Sequence, residues 1–167
     1  MILWPIRIAA ILYAYALTRL LRGLPARQWW TAACVFYLLH VVAAFQFVYG
    51  WSHTAAVAET ARQTEALFGL YWGGGVWFNY LFTALWVGDV LWWRLAVKSC
   101  ATRPLWMDIW LHGYMAWMFF NGAIVFPRNA AIRWTASAIA LALLLLAAST
   151  RDNCLWRKSK STDYGRI

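Results

Sequence analysis

Apolar residues dominate the chain in five long runs, each interrupted by charge or by glycine and proline. The runs cover about 2–21, 29–51, 71–93, 106–126 and 131–149, and each is about the 20 residues that one helix needs to cross a hydrocarbon core. The pattern predicts an all-α polytopic bundle of about five transmembrane helices over residues 1–150, followed by a basic tail over 151–167. Between the second and third runs lies "SHTAAVAETARQTEALFGLYWGGG". Its alanines and its Glu59, Gln63 and Glu65 favour helix, so this stretch predicts a short surface helix or an extension of the run before it. Gly73-Gly74-Gly75 would end that helix, open the next run and permit close backbone packing. Gly69 and Gly73 also form a single G-x-x-x-G.

The first run could be a signal sequence, since Ala14-Tyr15-Ala16 has the small-x-small form of a cleavage site. No basic segment precedes its apolar part, however, and it closes on Arg19 and Arg22, so it is read as a retained helix.

Composition supports a lipid solvent. The chain is 63% hydrophobic and 13% charged, against about 45–50% and about 25% for soluble domains. A net charge of +9 would suit nucleic acid if it formed a face with stacking aromatics, but the basic residues sit at the ends of the apolar runs. Arg19, Arg22, Arg27, Arg94, Lys98, Arg103, Arg151, Arg157, Lys158, Lys160 and Arg166 fall on one side; only Arg7, Arg62, Arg128 and Arg133 fall on the other. By the positive-inside rule the N-terminus is outside and the C-terminus cytoplasmic.

Tryptophan placement agrees. Trp29, Trp30, Trp92, Trp93 and Trp106 mark the expected inner ends, and Trp4, Trp51, Trp72 and Trp134 the outer ends, where an indole anchors at headgroup level. Trp86 and Trp117 lie deeper and are expected between helices. Cys34, Cys100 and Cys154 lack metal-ligand spacing and are expected as free thiols.

The candidate chemistry is confined to polar residues within the runs. Gln46, Asn79 and Asn121 fall about 8–10 Å in from the outer ends by helix rise, with His53 at the rim, seven residues from Gln46 and so on its face. Near the inner ends stand Asp89, Asp108 and His112, with His40 between the two levels. As interhelical glue, Asp89 would pair with Arg94, Arg103 or a tryptophan N–H, and Asp108 would cap its helix start. As a polar path, the outer amides, His40, His112 and Asp89 would carry protons or a small solute. His112 and Asn121 lie about 180° apart on one helix, which weakens that path. Haem ligation would fall to His40 and His112, about 8 Å apart along the normal. No metal-site spacing, nucleophile elbow or phosphate loop is present, so no metal, no resident cofactor and no catalytic residue is expected.

The segments "HVVAAFQFVYGWSH", "TARQT", "WGGG", "FNYLF" and "GDVLWW" resemble a group of small bacterial multi-pass membrane proteins with no assigned activity or cofactor. The likeness covers roughly residues 29–133 and implies a bacterial inner-membrane setting. Members of that group carry additional histidines ahead of the WSH, where this chain has Gln46, Tyr49 and Gly50; a metal site in the group would here be incomplete. The expected role is a non-enzymatic accessory or structural membrane subunit. Its partners would be the bilayer and another membrane protein or a second copy, not nucleic acid. A solute or proton conductor is the alternative, and a haem-binding redox protein the third reading.

Overall fold

The computed structural model describes residues 3–126 and 130–150, so the basic tail, Cys154 and Arg128 lie outside the described residues. Among the described residues all regular secondary structure is helical, with no strand. Seven α-helices follow in order: α1 Leu3–Leu21, α2 Arg27–Ala44, α3 His53–Phe68, α4 Gly75–Leu95, α5 Val97–Ala101, α6 Leu105–Phe120 and α7 Ala130–Thr150. Two of them run on as one π-helical turn, α2 through Phe45–Tyr49 and α6 through Asn121–Val125. The five apolar runs thus coincide with five long helices. One of these, Arg27–Tyr49 with 23 residues, is long and apolar enough to cross a membrane, and Arg133–Ala148 is a shorter apolar helix.

Each core helix buries one narrow stripe. Ala9, Tyr13 and Ala16 of α1, Trp30, Ala33, Cys34 and Tyr37 of α2, and Phe82, Trp86 and Asp89 of α4 are buried at i, i+3 or i+4, and i+7 spacing. That is the spacing of one helical face. On α6 the buried pair is Asp108 and Met115, seven residues apart. The alanines let α1 and α2 approach closely, and theirs is the most extensive helix pairing. α2 then packs on α4 and α4 on α6, while α7 rests on α1 and on the π-helical turn that ends α6.

The centre is aromatic. Trp86 is fully buried, and the rings of Tyr13, Trp30, Tyr37, Phe82 and Phe119 all lie within 5.2–5.9 Å of it, centroid to centroid. Such pairs add about 0.5–1.5 kcal/mol each beyond the area they bury. Trp30, expected as a headgroup anchor, is instead a core residue at 4% exposure. Its place on the buried stripe of α2 outweighs its place near the helix start. Trp117, expected between helices, touches Phe78 of α4 but is 47% exposed. Trp4, Trp51, Trp72, Trp106 and Trp134 are exposed, as headgroup anchors would be.

α3 is the predicted short helix. Ser52 begins it by accepting the Ala55 N–H at 3.2 Å on its hydroxyl. It ends earlier than the triple glycine suggests, at Gly69, which adopts φ +70° as the residue after a helix often must. Gly73 has another function. A Cβ there would lie 2.6 Å from the side chain and from the carbonyl oxygen of Val57, so the absence of a side chain lets the chain before α4 lie directly on α3. Gly69 and Gly73 share no helix.

A buried charge clasp as candidate functional site

Four charged side chains that the sequence scatters over 82 positions meet at one end of the bundle. Arg27 opens α2, Asp89 lies in the last two turns of α4, Arg103 sits in the link between α5 and α6, and Asp108 is in the first turn of α6. Arg27 donates from Nη1 to Asp89 Oδ2 at 3.1 Å. Arg103 donates to Asp89 Oδ1 through Nη1 and to Asp108 Oδ1 through Nε. One guanidinium thus bridges two carboxylates, using the fixed fork of donors that arginine has and lysine lacks. Asp89, Arg103 and Asp108 are buried, at 4%, 7% and 0% exposure.

The local sequence explains why these groups face inward. Asp89 lies seven residues after Phe82 and three after Trp86, so it falls on the buried stripe of α4. Asp108 precedes Met115 by seven and shares its face. Pro104 is the N-cap residue of α6, in an extended conformation with ψ 149°, and its ring disfavours helical geometry at the residue before it, Arg103. That turn sends Arg103, just before it, back toward the clasp. Two positive and two negative charges balance, which is the condition for keeping ions out of water. Burial works against the Arg103 charge, but Asp89 and Asp108 outweigh it and hold the guanidinium pKa above the usual arginine value.

Neighbours complete the site. Arg27 also reaches Cys100 Sγ at 4.0 Å, and the Arg103 guanidinium lies 5.9 Å from the centre of the Trp92 ring. Cys34 and Cys100 are buried free thiols. His112, one turn beyond Asp108, meets the edge of Trp30 at 4.9 Å between ring centres. Asp89 therefore takes one of its three expected partners, Arg103, together with Arg27, 62 residues away in sequence; Arg94 stays exposed. Asp108 lies in the first turn of α6, where a carboxylate suits the helix dipole, but four residues past the N-cap position, Pro104, which makes no side-chain cap hydrogen bond.

The outer polar residues do not come together. Gln46 accepts the Trp51 indole N–H at 3.0 Å, and Asn121 donates to the Trp117 carbonyl of its own helix at 2.8 Å. Asn79 is exposed. Among the described residues no hydrogen bond joins these three amides. His53 does not extend the face of Gln46, because the helix has ended by then: Tyr49 closes the π-helical turn, and Gly50 and Trp51 follow at φ +55° and +60°. His53 instead pairs its Nδ1 with the Tyr80 hydroxyl at 2.9 Å and packs on Trp77.

The two haem candidates stand apart. His112 is level with Trp30, and His40 is ten residues further along α2, about 15 Å by helix rise. One haem between these two rings is not what this spacing suits. Among the described residues no group of three or more histidine, cysteine, aspartate or glutamate side chains could hold a metal ion. No protein-family model, curated protein or solved structure matches the chain.

Proposed function

We propose that this chain is a multi-pass protein of a bacterial inner membrane, with about five spans, the N-terminus outside and the C-terminus in the cytoplasm, and that it serves as a non-enzymatic accessory or structural subunit. The observation that carries this reading is the charge clasp. The ionic groups closest to a catalytic or conducting constellation are turned on one another in a balanced set, in the manner of a helix fastener. Around it, large apolar side chains such as Leu91, Leu105, Trp106, Ile109 and Trp110 are exposed at 48–73%, a surface suited to lipid or to another membrane helix.

The helix directions support the topology. The clasp joins the start of α2, the end of α4 and the start of α6 at one end, so successive long helices alternate in direction. Arg22, Arg94 and Lys98 are exposed at that same end, which fits a cytoplasmic side. The inner-membrane setting rests on the resemblance to small bacterial membrane proteins.

Chemical crosslinking in native membranes tests the proposal. A subunit is captured with a membrane partner or a second copy, whereas a lone monomer at native abundance would overturn the reading. Reporter fusions at the two ends test orientation separately. The conductor reading keeps one observation in its favour, two buried carboxylates beside His112. It requires altered proteoliposome flux in Asp89→Asn and His112→Ala, and unchanged flux would end it. The haem reading requires an absorption band that shifts on reduction, lost with His40 or His112.

A further inference from the structure

The aromatic centre contains a second set of polar groups that the clasp does not use. The phenol oxygen of Tyr13 on α1 and the indole nitrogens of Trp30 on α2 and Trp86 on α4 are all buried and have no hydrogen-bond partner among the described residues. Their side chains are 4%, 4% and 0% exposed. The three rings touch one another, with centroids 5.6 Å apart for Tyr13–Trp30, 5.9 Å for Tyr13–Trp86 and 5.2 Å for Trp30–Trp86. His112 of α6 adjoins Trp30 at 4.9 Å, so four helices contribute to one location.

Their chemistry is one-sided. An indole N–H donates and cannot accept, and a phenol readily donates. A buried donor left without an acceptor forfeits the hydrogen bond it had with water. His112 does not take up these donors, and the faces of the other rings offer only weak N–H···π acceptance. Three such donors on mutually touching rings from three helices specify an acceptor.

We propose that Tyr13, Trp30 and Trp86 form a binding site for a hydrogen-bond-accepting oxygen at the centre of the bundle. The oxygen belongs either to an internal water or to the carbonyl of a small lipid-soluble molecule. The site is independent of the clasp and of any subunit role.

Tyr13→Phe removes one donor and keeps the ring. If the oxygen is held, the thermal midpoint of the purified full chain in detergent falls by about 2–4 °C, the shift that one hydrogen bond gives in a chain of this size. A midpoint unchanged or raised would overturn the site, because deleting an unmet buried donor is neutral or stabilising. A second readout is the ultraviolet resonance Raman signal of the Trp86 indole, isolated as wild type minus Trp86→Phe. A hydrogen-bonded N–H supports the site, and a free one overturns it. Native mass spectrometry then separates the sources. An added organic mass in wild type, lost in Tyr13→Phe, assigns the carbonyl compound; no added mass together with the lowered midpoint assigns water.

Discussion

The two ends of the bundle are held by different physics. At one end, Arg27, Asp89, Arg103 and Asp108 bind helices remote in sequence through buried, charge-balanced hydrogen bonds. At the other, α3 is fastened by close packing and local contacts: Gly73 against Val57, Ser52 on Ala55, His53 with Tyr80, Gln46 with Trp51. The first arrangement is cooperative, because each ion depends on the others for its burial. The second is piecemeal, and much of it is exposed. The clasp end should therefore respond to a single substitution far more strongly than the α3 end.

The largest effect is expected for Asp89→Ala. It strips Arg27 of its carboxylate and Arg103 of one of two, and breaking a buried pair by removing one partner costs about 3–5 kcal/mol. Equilibrium unfolding in detergent measures it, and a loss below 1 kcal/mol would show that the clasp is not a fastener. Gly73→Ala comes next. The new Cβ meets backbone as well as side chain, so α3 must shift, at a cost of about 1–3 kcal/mol for overpacking. Proteolytic nicking within residues 53–75 reads that loosening directly. Ser52→Ala should cost about 1 kcal/mol, the ordinary value of an N-cap, seen as faster amide exchange in the first turn of α3. Asn121→Ala should stay within about 0.5 kcal/mol, since its bond is to its own helix and an isolated change of that kind is mild. A large loss there would restore the interhelical amide layer.

The same contrast separates what could be read in advance from what could not. Helix positions were legible, because runs of apolar residues about 20 long have few other solutions. Depth along each helix was legible too, and it put Asp89, Asp108 and His112 near one end. Direction around the helix axis was not. Gln46, Asn79 and Asn121 share an expected depth but point to different surroundings. The π-helical turns at Phe45–Tyr49 and Asn121–Val125 rotate the register at Gln46 and Asn121, though not at Asn79 within α4, and no residue type announces them. The spacing of Asp89 with Phe82 and Trp86 could have revealed that it faces the core, since all three fall on one stripe. Arg27 as its partner, 62 residues away, depends on which helices are neighbours, and one sequence does not carry that.

Trp30 teaches the same lesson from the apolar side. Counted by position, it belongs to a headgroup belt; taken with Ala33, Cys34 and Tyr37, it belongs to a buried face. Face outranks position because burying the indole against Tyr13, Trp86 and His112 gains more than anchoring it at an interface.

The coupling between Arg27 and Asp89 is what makes the clasp a fastener between α2 and α4. A double-mutant cycle with Arg27→Met and Asp89→Leu, read by equilibrium unfolding, isolates it. The clasp predicts an interaction of at least about 1.5 kcal/mol, the low end for close buried charge pairs. Effects that add to within about 0.5 kcal/mol, as they do for independent sites, would contradict it.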